Sequence, residues 1–187
     1  MTHLAWIAVD SFRPLDSHRD VIVDFAITVT DGRLAPAMSE QSAILDPGTN
    51  PLLLRNSAAP DDQDRFAATG LWNEINARAV SVGSFDRLIA SRLRALGVTP
   101  GAPALAICSQ IERGLIATYA PEMSAMLSVD AADVTSFRLL SGQFLPGAGL
   151  VTAAPRSGRT DNRVQARLND LANTVNAINH QIGTAAA

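Results

Sequence analysis

The 187 residues contain no lysine, one cysteine (Cys108), one tyrosine, two tryptophans and no long apolar run. One thiol excludes an internal disulfide framework and any zinc site built on several cysteines, and a reducing, cytoplasmic setting is expected. The absence of an apolar stretch of about 18 residues excludes a helical membrane span. All fifteen basic residues are arginine, and eighteen acids outweigh them to give a net charge of −3. That balance supplies no overall positive field, so a duplex-coating role is excluded. Arginine in place of lysine fits GC-rich coding; it also removes every target of lysine modification. With 47% hydrophobic and 18% charged residues, and only 12 glycines and 10 prolines, the chain has a globular composition. One domain over residues 1–187 is expected, with a flexible tail over 180–187.

Apolar patterning supplies the element order. Leu4 to Val9 reads as a strand, with no basic segment or cleavage site before it. Val21 to Thr30 reads as a second strand whose odd positions are large and apolar, while Asp24, Thr28 and Thr30 share the other face. Asp31-Gly32 is a hairpin signal, and a third strand runs back through about Ser42 to Leu45. The stretch 46–70, rich in Pro, Gly and Asp, reads as a long loop with a solvated acid cluster. Phe85, Leu88, Ile89, Leu93 and Leu96 fall at helical spacing between Ser84 and Gly97. Pro103 to Cys108 is a short buried strand, a helix follows from about Glu112 to Tyr119, and Asp133 to Ser136 precedes another short helix. Pro146 to Gly158 reads as a linker. Leu168, Leu171, Val175 and Ile178 form one stripe of a terminal helix over about 162–179. The fold class is α/β: a mixed five-stranded sheet, three antiparallel strands followed by parallel ones, flanked by helices.

The order of these segments resembles the oligoribonuclease branch of the DEDDh 3′–5′ exonucleases, with their ribonuclease H-like fold. Trp6-Ile7-Ala8-Val9-Asp10 is similar to the family's Trp-Ile-Asp-x-Glu strand. His18 to Asp31 is similar to its second strand and hairpin. Trp72-Asn73 resembles its Trp-Asn pair, and Glu112 to Met123, with Tyr119-Ala120-Pro121-Glu122-Met123, its Asp-Arg-Arg helix ending in Tyr-Met-Pro-Glu-Leu. Asp133-Val134-Thr135-Ser136 resembles Asp-Val-Ser-Thr, and Asn169-Asp170-Leu171 resembles Asp-Asp-Ile. In such enzymes carboxylates hold two divalent metals that activate water and stabilise the transition-state charge, and a histidine accepts the water's proton.

Carried across residue by residue, the resemblance places Ala8 at the bridging Asp, Asp10 at the Glu, Glu112 at the second Asp, Gln165 at the His and Asp170 at the last Asp. A methyl group bridges no ions, and an amide is no base. Asp10 and Glu112 each exchange carboxylate length, a shift of about one methylene that exceeds the ~0.5 Å tolerance of a catalytic constellation. Val129-Asp130 stands at a phosphate-gripping Tyr-Arg pair and reverses its charge. Phe12-Arg13-Pro14 replaces the Thr-Gly approach to the wedge position, Leu15. Leu15, Trp72, Asn73, Cys108 and Thr135 are the substrate-binding positions the resemblance implies. On their own chemistry, Trp72 reads as a core or dimer-interface aromatic or as a base-stacking platform, and Cys108 as a small buried side chain. Asp10, Glu112 and Asp170 read as a surviving Mg2+ or Mn2+ site or as inherited polar residues in a cleft without a cofactor.

The resulting expectation is an exonuclease fold with lost or impaired catalysis, a homodimer binding a nucleotide, a short oligonucleotide or a protein partner. The alternatives are a metal-dependent 3′–5′ exoribonuclease with a variant site, or a different reaction acquired on the same cleft.

Overall fold

The computed structural model describes residues 3–32, 35–46, 48, 50–132, 160, 163–165 and 169. The chain opens with β1 (His3–Phe12), β2 (Val21–Asp31) and β3 (Pro36–Asp46), paired antiparallel in sequence order. Then come α1 (Pro51–Ser57), α2 (Pro60–Ala68), α3 (Leu71–Arg78), the two-residue β4 (Val80–Ser81) and α4 (Val82–Ala95). β5 (Ala104–Ile107), α5 (Gln110–Tyr119), α6 (Pro121–Ser124) and β6 (Leu127–Ala132) follow. The strands form one mixed sheet in the order β4-β3-β2-β1-β5-β6, with β5 parallel to both β1 and β6.

Two expectations need correction. The sheet has six strands rather than five: β4 is too short to carry a periodic signal, and β6 is not read as a strand from the sequence. The stretch 46–70 is not a long loop: α1 and α2 occupy most of it. Pro51 and Pro60, read as breakers, are the first residues of these helices, where the missing N–H has no intrahelical partner to lose. Asn50 caps α1 by accepting from the Leu52 N–H at 2.9 Å. The expected helix around Phe85 to Leu96 is α4, and the one from Glu112 to Tyr119 is α5, begun two residues earlier. The expected short helix after Asp133, the linker 146–158 and the tail 180–187 lie outside the described residues; of the terminal helix, positions 163–165 and 169 are described and are helical.

Both faces of the central strands are covered. Ala5, Ile7 and Val9 of β1 and Phe25, Ile27 and Val29 of β2 pack with Phe85, Ile89 and Leu93 of α4 and with Ile116 and Met123. On the opposite face Trp6, Ala8 and Ala26 pack with Ile107 and Val164. Asp24, Thr28 and Thr30 are therefore buried as well. Thr30 is satisfied by the Trp6 indole, whose Nε1–H donates to its Oγ1 at 3.0 Å. A register shift follows Asp10, where Asp10 pairs with Asp24 but Ser11 pairs with Ile22. The extra residue, Val23, joins Phe12, Ile44, Leu54, Phe66 and Trp72 in a second cluster. A bulge of this kind re-aims side chains at the end of a strand pair, and here it does so beside Asp10.

A buried carboxylate ties α4 to α6. Asp86 accepts from the backbone N–H groups of Glu122 at 3.0 Å and Met123 at 2.7 Å, which are orphan donors of the first turn. Replacing Asp86 with Ala strands two amides, so we expect Asp86→Ala to cost about 2–3 kcal/mol in urea unfolding. A loss below about 0.5 kcal/mol would show that the cap carries no stability.

Candidate functional site

The site forms where the chain direction of the parallel strands ends. Trp6 of β1 is level with Ile107, the last residue of β5, so Asp10 lies beyond the end of β5, beside the start of α5. Pockets at the carboxyl ends of parallel strands are where folds of this kind take ligands. Glu112 sits in the first turn of α5 and Asp10 near the end of β1; they are 5% and 4% exposed.

Glu112 is held by a local motif. Ser109 caps α5, its Oγ accepting from the Glu112 N–H at 3.2 Å, while Glu112 Oε2 accepts from the Ser109 N–H at 2.8 Å. This reciprocal pair is a capping box. The other oxygen, Oε1, accepts from the Val9 N–H of β1 at 3.1 Å. Helix start and strand end are thus joined through one carboxylate, both of whose oxygens are engaged.

Two arginines converge on these acids. Arg163 donates from Nη1 to Asp10 Oδ1 at 2.7 Å and to the Val9 carbonyl at 2.9 Å, and from Nη2 to Glu112 Oε1 at 3.2 Å. Arg65 of α2 donates from Nη1 to the same Asp10 Oδ1 at 3.0 Å. Its Nη2 reaches the Ser11 carbonyl at 3.2 Å and Asp62 Oδ1 at 3.0 Å. The Arg65 guanidinium also stacks 4.0 Å from the centroid of the Phe66 ring. Asp62, expected as part of a solvated acid cluster, is instead one arm of this network.

Asp10 Oδ2 is buried without a hydrogen-bond partner among the described residues. Burial pushes the Asp10 carboxyl above its ordinary range, and Glu112 adds to the rise; Arg163 and then Arg65 oppose it without overcoming it.

The floor of the site is apolar. Ala8, at the position the resemblance gives to a bridging acid, is 0% exposed, shares a buried apolar cluster with Val164, also 0% exposed, and pairs with Ala26 across the strands. Among the described residues the donor set does not fit a pair of divalent ions: Ala8 offers a methyl group, both Glu112 oxygens are committed, and Asp10 Oδ1 already takes two guanidinium groups, leaving only Asp10 Oδ2 of these two carboxylates unengaged. Among the described residues no group of three or more His, Cys, Asp or Glu side chains is placed to hold a metal.

The remaining candidates are spread around this centre. Gln165 is exposed and donates from Nε2 to Asn169 Oδ1 at 3.0 Å. Leu15 is 72% exposed, and its N–H donates to the Ser57 carbonyl at the end of α1 at 2.7 Å. Trp72 is buried, packed edge-on to Phe12 and Phe66, with its Nε1–H donating to the Gln63 carbonyl at 3.3 Å; of its two readings, core packing describes this place. Asn73 is exposed on α3, and Cys108 is buried in the main core. Asp170 and Thr135 lie outside the described residues. Sequence reasoning missed Arg65 and Arg163. The Ser109-x-x-Glu112 spacing is a capping-box signature and was available; no local signal marked Arg163.

Two expectations follow from this geometry. Because the folded state raises the Asp10 pKa, this group's contribution to stability is fully present below the unfolded carboxyl pKa and is lost as pH rises through the folded value. Carboxyl 13C NMR should place the Asp10 midpoint above that of exposed aspartates. It should rise further in Arg163→Ala, since the guanidinium opposes the shift; a midpoint below the ordinary range would contradict this environment. The second concerns the floor: Ala8→Asp buries a carboxylate in the apolar cluster that holds Val164 and should cost about 3 kcal/mol or more in denaturant unfolding. An unchanged midpoint would mean that the floor is open to water.

No family model matches this sequence, and no curated protein does. Solved structures do. An exonuclease I, whose structure was described as suggesting how processivity is achieved, matches 94% of this chain at a TM-score of 0.59 and 13% identity. The zinc-bound form of the E. coli exonuclease I–single-stranded DNA complex matches 94% at 0.52 and 13% identity. A moderately thermophilic exonuclease I from Methylocaldum szegediense matches 89% at 0.53 and 18% identity. The matches cover 41%, 40% and 34% of those chains, so this chain spans less than half of their length. At these identities the likeness is one of architecture: the chain has the ribonuclease H-like α/β fold of the exonucleases.

Proposed function

We propose that this protein is an oligoribonuclease-like member of the exonuclease fold that binds short single-stranded oligonucleotides without hydrolysing them. The observation that carries the reading is Ala8, fully buried in one apolar cluster with Val164, at the position where the resemblance calls for a bridging carboxylate. Hydrolysis by the two-metal route requires oxygen ligands shared between the ions, and neither a methyl group nor the apolar side chain clustered with it supplies them. Gln165, at the general-base position, carries no titratable nitrogen, and loss of a general base alone costs about 10²–10⁴-fold.

Ligand binding is supported by the exposed Leu15 beside the end of α1, which itself carries exposed Leu52 and Leu53. An apolar side chain in that place suits contact with an unstacked base. The single-stranded DNA complex of E. coli exonuclease I is an architectural neighbour consistent with such a ligand. The homodimeric state, the cytoplasmic location and the organisation of 1–187 as one domain belong to the same proposal. The rival reading, a variant metal-dependent exoribonuclease, has to accommodate the commitment of both Glu112 oxygens.

The test uses labelled di- to pentaribonucleotides with Mg2+ or Mn2+. The wild-type chain is expected to retain them in fluorescence anisotropy and to leave their length unchanged, and Leu15→Ser should weaken retention about tenfold. Metal-dependent shortening that disappears in Asp10→Ala would overturn the non-hydrolytic reading. Retention unchanged by Leu15→Ser would overturn the assignment of the binding position.

A further inference from the structure

We propose that the Arg163 guanidinium is a built-in cation that takes the place of a divalent metal between Asp10 and Glu112. This rests on reading the pocket as a degenerate exonuclease-type site, and goes beyond it by naming what replaces the metal. The two acids belong to different elements, the end of β1 and the first turn of α5, and burying both leaves a concentration of negative charge that needs a counter-cation. Arg163 supplies it from the C-terminal part of the chain. Its Nη1 is 2.7 Å from Asp10 Oδ1 and its Nη2 is 3.2 Å from Glu112 Oε1, so one planar fork spans both carboxylates. Its third contact, to the Val9 carbonyl at 2.9 Å, fixes the plane of the fork against β1.

Three further observations agree with replacement rather than coexistence. Arg65 brings a second guanidinium to Asp10 Oδ1 and is anchored on Phe66 and Asp62. Hard divalent ions take about six oxygens, whereas the oxygens pointing at Arg163 are already shared with N–H donors. Val164, next in sequence to Arg163, is buried in the same apolar cluster as Ala8, so a single short segment supplies both the cation and an apolar side chain to the site. A change of this kind removes the dependence of the fold on a dissociable ion.

The probe is Mn2+ alone, followed by the loss of its free-ion electron paramagnetic resonance signal, with folding monitored by circular dichroism. Wild-type protein is expected to take up no Mn2+ at Asp10 and Glu112 at millimolar concentration. Arg163→Ala and Arg163→Met should each take up one ion, with Kd on the order of 10⁻⁴–10⁻³ M, and adding Asp10→Asn to either should abolish uptake. The Met variant keeps the stem packing of the arginine, so it carries the test if the Ala variant unfolds. Wild-type uptake that Asp10→Asn removes would overturn the proposal, as would folded Arg163 variants that take up none. Should both variants unfold, wild-type titration with and without Asp10→Asn still decides it. Metal uptake and oligonucleotide shortening are read separately: shortening by a wild-type chain that leaves Asp10 and Glu112 metal-free would sink the non-hydrolytic reading and leave this one standing.

Discussion

The contact of Arg163 with Asp10 and Glu112 is the constraint on which the rest of the site depends. Two carboxylates nearly withdrawn from solvent cannot both stay charged without a cation, because the cost of desolvating them exceeds what neighbouring amides return. Burial pushes the Asp10 carboxyl above its ordinary range even with two guanidinium groups beside it. Remove the cation and the end of β1, the start of α5 and the segment carrying Arg163 lose the charge that holds them together. The value of such a pair lies in specificity of arrangement as much as in stability: the fork geometry of one side chain sets where three pieces of chain meet.

Around this contact the neighbouring residues are mutually consistent. Glu112 is longer than the aspartate expected at its position by resemblance, and the added methylene accompanies a capping box with Ser109 and a bond to the Val9 amide. Ala8 and Ala26 are paired small residues, and Val164 is buried in one cluster with them. A carboxylate at residue 8 would meet Val164 instead of water. Together these residues make an interior packed with apolar side chains, one guanidinium fork and one capped helix. The architecture shared with exonuclease I therefore says how the strands are laid out, and the identity of the groups at the end of β1 says what the pocket can hold.

How much of this could be read in advance varied with the kind of signal. β1, β2 and α4 were legible because their apolar spacing runs long enough to define a period, and the hairpin after β2 because Asp31-Gly32 marks it. α1 and α2 were not, since a proline at the first helical position looks, in sequence, like one that ends a helix. Asp10 and Glu112 were picked out by resemblance to a metal-binding pattern. Arg163 was not, because it is 153 residues from Asp10 and its role exists only once the chain has folded. The same holds for Arg65, which the sequence places among three aspartates and the structure points at a fourth.

The most direct test of the central claim is a crystal structure of the wild-type protein soaked in Mn2+, with anomalous differences recorded at the manganese edge. The account predicts continuous density for the Arg163 guanidinium bridging Asp10 Oδ1 and Glu112 Oε1, and no anomalous peak between the two carboxylates. A manganese peak at ligand distance from Asp10 and Glu112, with Arg163 turned away, would contradict it.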